Sequence, residues 1–334
     1  MNNIYLYILG FVCCTMVIVY SGTKLTKYGD KIADLTGWGK AWVGLILMSA
    51  VTSLPELMTG ISSVTFIDAP DLAAGDVFGS CVFNLLILSL IDVQIKKPLT
   101  SLVKESHLLA GLFGIILLAL SGFAILISSI MPNLFWISPF SILLIIVYLF
   151  AVRGIYQFDN TPLTIDPIIK TQFKKNKSEL KKVFIAFGIN ALFIVAASLF
   201  LPYFGAHIAA QTGLSNSFFG TVFLAASTSL PELVVSFAAI GMGSFDLSIG
   251  NLLGSNIFNI FILALDDIFY IKSSLFADIQ KNHLDSVIII IIMTAVVGLG
   301  LMTKQIKKFL RLSFDTFIVS LLYLGLMVTF YFRT

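Results

Sequence analysis

The sequence predicts an all-α membrane protein of about ten transmembrane helices, arranged as two inverted-topology repeats of five. Three observations lead there: the hydropathy, an internal repeat of long reach, and the alternation of basic and neutral loops. Of 334 residues, 58% are hydrophobic and 12% are charged, with a mean hydropathy of +0.98. A soluble domain carries about 25% charged residues, so an ordinary globular protein is excluded. The net charge of +3 is small and its lysines are scattered through loops, which gives no reason to expect a nucleic-acid partner.

A helix needs about 20 apolar residues to cross the hydrocarbon. Runs of that order fall at 4–22, 40–66, 71–92, 108–130, 134–152, 182–203, 216–241, 246–270, 284–302 and 312–331. The boundaries at 66–71 and 241–246 are short turns between long runs. Residues 1–153 are read as the first repeat, 154–181 as a cytoplasmic linker and 182–334 as the second repeat. The N-terminus lacks the basic stretch of a cleaved signal peptide, so the first run is read as a retained span. Cys13, Cys14 and Cys81 all lie in apolar runs and form neither a disulfide framework nor a CxxC metal spacing.

Lysine and arginine mark the cytoplasmic loops. They gather after span 1 (Lys24, Lys27, Lys31, Lys40), span 3 (Lys96, Lys97, Lys104), span 5 (Arg153 and Lys170 to Lys182) and span 9 (Lys304, Lys307, Lys308, Arg311). The loops after spans 2, 4, 6 and 7 have none. Loop 7, neutral yet on the basic side, and loop 8, with Lys272 and Lys281, fit this alternation least well. The pattern places both termini outside and the central loop inside. The basic cluster Lys174–Lys182 reads first as a solvated linker and second as a contact for anionic lipid headgroups.

The stretch Thr52-Ser53-Leu54-Pro55-Glu56-Leu57 returns as Thr228-Ser229-Leu230-Pro231-Glu232-Leu233, 176 positions later. Thr36-Gly37 and Gly44 match Thr212-Gly213 and Gly220 at the same offset. From Asp71 to Asn84 the chain matches Asp246 to Asn259 at an offset of 175, and Asp92 and Asp267 close the matched stretch. Five spans per repeat is an odd number, so the second repeat enters the membrane from the opposite side. Inverted repeats with interrupted helices are the architecture of secondary transporters, with the site near the midplane.

Each repeat puts a carboxylate at membrane depth, which costs roughly 3 kcal/mol on insertion scales and marks a functional site. Pro55 and Pro231 lack an N–H and crowd the carbonyls of Val51 and Ser227, which are thereby freed for a cation. Thr52 and Ser53 precede Glu56 by four and three residues, on its helix face; Thr228 and Ser229 stand likewise to Glu232. Carboxylates, hydroxyls and carbonyls are hard oxygen donors, suited to calcium or sodium and not to zinc or copper. Ser80 and Asn84, and Ser255 and Asn259, each share one helix face. Gly75-xxx-Gly79 and Gly250-xxx-Gly254 let helices approach closely, so spans 2, 3, 7 and 8 should form one core. Asp76, opposite Asn251, is an extra ligand, a proton carrier or a residue at the mouth; the mouth is favoured. Glu56 and Glu232 together carry −2 when ionised, which one calcium, several sodium ions or two protons would neutralise. A site that must be neutralised before it crosses favours exchange over uniport.

These motifs resemble those of the cation/calcium exchanger superfamily, and most closely its sodium/calcium exchanger branch of prokaryotic type. The resemblance rests on TSLPEL at Thr52–Leu57 and Thr228–Leu233, with GDVFGSCVFN at Gly75–Asn84 and GNLLGSNIFN at Gly250–Asn259. It implies a Ca²⁺/Na⁺ antiporter working by alternating access, with calcium held by Glu56, Glu232 and the backbone oxygens of Thr52 and Thr228. It also implies sodium sites using Ser53 and Ser80 on one side and Ser229 and Ser255 on the other. Backbone oxygens of Ser49 and Ala225 would complete them, and Asn84 and Asn259 would face the middle. Two asparagines there argue against potassium coupling. Cys81 opposite Asn256, and Asp76 opposite Asn251, depart from the pattern. Proton coupling is the second choice for the driving ion.

Beyond lipid and the transported Ca²⁺ and Na⁺ (or H⁺), neither a prosthetic group nor an obligatory protein partner is expected. An intramembrane enzyme with a glutamate pair is the alternative of a different class, and a channel a third. His107, His207 and His283 lie near loops without ligand spacing and are read as incidental. The absence of a transit peptide and of a large regulatory loop points to a prokaryotic plasma membrane.

Overall fold

The computed structural model describes residues 2–128, 130, 134–159, 177–212, 224–304, 307–309 and 311–333. Ten apolar segments cross the molecule: α1 (Asn2–Thr36), α2 (Lys40–Phe66), α3 (Pro70–Gln94), α4 (Ser106–Ile127), α5 (Pro139–Asp159), α6 (Lys177–Thr212), α7 (Leu224–Thr228 and Leu230–Gly241), α8 (Phe245–Phe269), α9 (His283–Thr303) and α10 (Phe314–Arg333). Among the described residues, eight helices are long and apolar enough to span a bilayer and two apolar helices are shorter. The expected ten-span, all-helical architecture is the observed one.

Two boundaries differ from the expected ones. The run 4–22 continues as helix to Thr36, and the run 182–203 extends to Lys177–Thr212. The charged turns of α1 stay helical because Leu25, Ile32 and Ala33 keep one face buried. Gly37 then stops the helix at φ +74°, its N–H returning to Ala33 O at 3.0 Å. The expected linker 154–181 is shortened at both ends by α5 and α6. Lys174 and Lys175 lie outside the described residues, while Lys177, Lys181 and Lys182 ride on the start of α6.

The helices sort into a centre and a rim. In α3 and α8, 72% of the central stretch is buried, against 11% in α1. Long side chains of α1 such as Tyr5, Leu9, Met16 and Tyr20 are exposed. In a bilayer they meet lipid, where an apolar rim is the stable one. The Gly250-xxx-Gly254 pattern packs against α2 as expected. A Cβ on Gly254 would sit 2.1 Å from Leu45 O, and one on Gly250 would sit 2.6 Å from Ala41 O. Gly44 answers from the other helix, 2.4 Å from Leu247 O by the same measure.

Contacts between loops sort them into two faces. On one face Asp30 of α1 accepts from Ser244 Oγ, between α7 and α8, at 2.6 Å, and Asp246 pairs with His107 at 3.0 Å. Lys308 Nζ, between α9 and α10, lies 3.0 Å from Asp92 Oδ1 at the end of α3. On the other face Lys272 pairs with Asp68 at 2.5 Å, His283 with Asp71 at 3.1 Å, and Trp136 donates to Ile268 O at 2.9 Å. Loops 7 and 8, which fitted the charge pattern least well, therefore lie on the sides that strict alternation gives them. The charge of Lys272 is met by an aspartate on its own face.

The repeats are fastened across the molecule by two equivalent carboxylates. Asp92 accepts from the N–H of Ser313 at 2.7 Å and from Thr316 Oγ1 at 2.9 Å, capping α10 of the second repeat. Asp267 accepts from the N–H of Ser138 at 2.7 Å and from Ser141 Oγ at 2.5 Å, capping α5 of the first. Each also takes the N–H that follows its own helix: Leu99 at 2.8 Å and Leu275 at 2.7 Å.

Candidate ion-binding site

Both motif helices break one residue before their Leu-Pro-Glu. Ser53 has φ −91°, ψ 7° and Ser229 has φ −84°, ψ 8°, so the helices end at Thr52 and Thr228 and restart at Leu54 and Leu230. Proline is tolerated in the first turn of each new segment, where its missing N–H has no intrahelical partner to lose. In α2 the break is bracketed by π-helical turns, Val43–Met48 and Ser63–Ile67, a distortion frequent at functional sites. The carbonyl of Val51 is taken by a backbone N–H of the cap turn, so it is not left free as its position before Pro55 suggests.

The break also changes which glutamate each serine serves. Ser53 is the cap residue of the helix that carries Glu56, and from the break its hydroxyl turns to the other repeat. Ser53 Oγ donates to Glu232 Oε1 at 3.0 Å, and Ser229 Oγ donates to Glu56 Oε1 at 3.2 Å. The second motifs supply the other donor within their own repeat: Ser80 Oγ to Glu56 Oε1 and Ser255 Oγ to Glu232 Oε1, each at 3.2 Å. Each carboxylate thus has one oxygen held by two serines from two repeats. The other oxygens, Glu56 Oε2 and Glu232 Oε2, are buried and accept no hydrogen bond. Neither glutamate is in an ion pair among the described residues.

The remaining sequence-selected residues gather around this pair. Thr52, Thr228, Asn84 and Asn259 are fully buried and Ser49 nearly so. Thr52 Oγ1 donates to Asn251 Oδ1 at 3.3 Å and lies 3.4 Å from Ser255 Oγ. Ser49 turns its hydroxyl back to Leu45 O within its own helix. Asn84 Nδ2 donates to Asn256 Oδ1 at 3.1 Å. Ala225 lies in the helix Leu224–Thr228 that leads into the second break. Among the described residues no three His, Cys, Asp or Glu side chains converge on one point, so the arrangement rests on two carboxylates with hydroxyl and carbonyl oxygens.

Asp76 corrects the sequence reading. It is not at the mouth: it is 3% exposed, and Thr228 Oγ1 donates to its Oδ1 at 3.1 Å. Asn251 takes the equivalent hydroxyl of Thr52 in the other repeat. Sequence alone had paired Asp76 with Asn251 but had not given either a partner. It also missed the lock between Cys81 and Asn256, in which Asn256 Nδ2 donates to Cys81 O at 3.2 Å and Cys81 Sγ to Asn256 O at 3.8 Å. These two residues occupy equivalent positions, and two antiparallel equivalents meet at the pseudo-twofold axis. That symmetry was the available signal.

Two five-helix halves of opposite orientation, broken at mid-chain and joined by crossed serine–glutamate hydrogen bonds, define a polytopic transporter-type membrane protein. The sodium/calcium exchanger protein family model matches residues 6–156 and again 182–332, and the chain belongs to that family. It is 26% identical over 307 residues to the putative antiporter CaxA of Alkalimonas amylolytica, covering 89% of this chain and 90% of that one. It is 41% identical over 86 residues to the sodium/calcium exchanger MaX1 of Methanosarcina acetivorans, covering 25% and 23% of the two chains. The fold matches that of the sodium-calcium exchanger NCX_Mj soaked with 10 mM Na⁺, with a TM-score of 0.75 and 20% identity over 97% of this chain and 99% of that one.

Proposed function

We propose that this integral membrane protein is a secondary active antiporter, not an enzyme, that exchanges Ca²⁺ for Na⁺ by alternating access. The observation that carries the reading is the pair Glu56 and Glu232, each with one oxygen fixed by two serines and the other buried without a donor. A buried carboxylate oxygen in a dry interior calls for a positive partner, and hard oxygens call for a hard cation.

In this reading Ca²⁺ lies between Glu56 Oε2 and Glu232 Oε2, with the backbone oxygens of Thr52 and Thr228 completing its shell. Sodium ions use Ser53 and Ser80 with the Ser49 backbone oxygen, and Ser229 and Ser255 with that of Ala225; Asn84 and Asn259 face the middle. Binding either ion set offsets the carboxylate charge, so only the loaded site crosses at low cost. Because Ser53 and Ser229 each hold the other repeat's glutamate, ion occupancy at the breaks is felt by both halves. That coupling suits a rocking of one half against the other about a fixed site.

The charge pattern puts the termini outside, and the face bearing Lys40, Lys104 and Lys308 in the cytoplasm, of a prokaryotic plasma membrane. The test is calcium uptake by proteoliposomes loaded with sodium and diluted into sodium-free buffer, beside a pH-gradient control. Uptake that needs internal sodium is expected. Uptake driven by the pH gradient alone would keep the site and change the coupling ion to H⁺, and no uptake under either gradient would overturn the reading.

A further inference from the structure

We propose that Asp266, with Asp76, forms a second hard-cation station on one side of the central pair, and that the repeat-equivalent positions on the opposite side form none. The inference rests on the reading of Glu56 and Glu232 as the central site only for its position.

Asp266 lies near the end of α8, fully buried, and neither Oδ1 nor Oδ2 accepts a hydrogen bond. Buried carboxylates in folded proteins are paired, hydrogen-bonded or metal-bound, because a bare charge in a dry interior is costly. Among the described residues Asp266 has no donor, and a cation from outside the chain is the partner that would let it stay ionised there. Its position is specific. Gly60 lies one turn beyond Glu56 on the same face of α2, about 6 Å further along the axis. A Cβ on Gly60 would sit 2.4 Å from Asp266 Oδ2, so the missing side chain is what lets this carboxylate lie against α2.

Asp76 reaches the same side by its own contact: its Oδ1 accepts from Thr228 Oγ1 at 3.1 Å, and Thr228 lies one turn before Glu232 in α7, which runs opposite to α2. Asp76 Oδ2 is itself buried and without a donor. Carboxylates therefore continue from the central pair toward the face where Lys272 meets Asp68.

The inverted repeat provides an internal control. The equivalents of Gly60, Asp76 and Asp266 are Ser236, Asn251 and Ile91. Asn251 Nδ2 donates to Ser236 Oγ at 3.1 Å, and Ile91 is buried hydrocarbon. At those positions three neutral side chains replace a glycine and two acids, and the hydroxyl and amide satisfy each other. Asp315, at the start of α10 on the opposite face, is also buried without a donor, against Gly300, but it is the repeat equivalent of neither Asp266 nor Asp76.

The test measures binding first and transport second. A Glu56→Gln/Glu232→Gln variant, purified without sodium, is titrated calorimetrically with CaCl₂ in one arm and NaCl in the other. One bound cation is expected to remain in at least one arm, and the arm identifies it as divalent or monovalent. Adding Asp266→Asn should abolish that binding. No binding in either arm, or binding indifferent to Asp266→Asn, overturns the station. This arm needs no transport, so it is read separately from the antiport proposal. In the otherwise native chain, Asp266→Asn should raise the cation K0.5 at the Lys272 face by about fivefold or more, the lower range of ordinary coupling between sites. K0.5 at the opposite face should not move. Gly60→Ala, which displaces the Asp266 carboxylate and removes no donor, should act on the same face. Equal shifts on both faces would mean a structural role and would also overturn the station.

Discussion

Ser53 of the first repeat donates its hydroxyl to Glu232 of the second at 3.0 Å, reaching across the molecule past the glutamate three residues along its own chain. Ser229 repays the contact to Glu56 at 3.2 Å. Each carboxylate is therefore held by one serine of its own repeat and one of the other.

A first prediction follows for the crossed pair. Ser53→Ala removes a hydrogen bond to a charged group, worth about 1.5–3 kcal/mol. Calcium K0.5 should rise by roughly ten- to a hundredfold. A double-mutant cycle on the thermal midpoint of the purified protein, which needs no transport, separates the partners: Ser53→Ala should be strongly non-additive with Glu232→Gln and nearly additive with Glu56→Gln. The opposite ranking would return Ser53 to its own repeat's glutamate.

Glu56→Gln and Glu232→Gln each keep the side-chain shape and remove one charge. Each should abolish sodium-dependent calcium uptake in correctly inserted protein, because one carboxylate leaves a bound Ca²⁺ uncompensated. Normal uptake by either variant would remove that residue from the site.

Much of this was legible in the sequence, and the reasons are physical. Ten spans follow from the length of an apolar run needed to cross hydrocarbon, and the inversion follows from the odd number of spans per repeat. The glutamates stood out because acids are expensive at that depth. What sequence did not carry was direction at a break: Ser53 and Glu56 are three apart, which means one face in an intact helix, whereas here Ser53 is a cap residue whose hydroxyl turns to Glu232. Asp76 looked like a mouth residue because it falls early in its apolar run. It is buried, and its hydrogen-bond donor is Thr228, 152 positions away. Asp266 gave no signal at all, since its repeat partner is Ile91 and its neighbour Gly60 is silent in any motif.

The repeats also predict an asymmetry among the glycines. At Gly254 a Cβ would fall 2.1 Å from the Leu45 carbonyl oxygen, and backbone cannot step aside as a side chain can. At Gly75 the nearest atom is His283 Cε1 at 3.7 Å, an ordinary contact. Gly254→Ala should lower the thermal midpoint of purified protein, with a cost of about 1–3 kcal/mol as for other overpacked cores. Gly75→Ala should leave the midpoint close to that of the native chain. Equal tolerance at both positions would mean that α2 and α8 are not held at backbone contact.

The last prediction concerns Asp92. Its carboxylate accepts from Leu99 N–H at 2.8 Å, Ser313 N–H at 2.7 Å, Ser313 Oγ at 3.0 Å and Thr316 Oγ1 at 2.9 Å, and it lies 3.0 Å from Lys308 Nζ. Asp92→Asn replaces an acceptor-only group by one that must also donate, among neighbours that are mostly donors. It also leaves Lys308, 11% exposed, without its counter-charge. Removing one partner of such a buried pair costs about 3–5 kcal/mol, so the thermal midpoint should fall markedly. Lys308→Met in the Asp92→Asn background should recover part of the loss, because the unpaired charge is then gone. Asp267 holds α5 through Ser138 and Ser141 and has no ion pair among the described residues. Asp267→Asn should therefore cost less than Asp92→Asn, and no change at Lys308 should rescue it. If the two aspartates prove equal in cost, Lys308 contributes nothing to the cross-repeat fastening and the hydrogen bonds alone carry it.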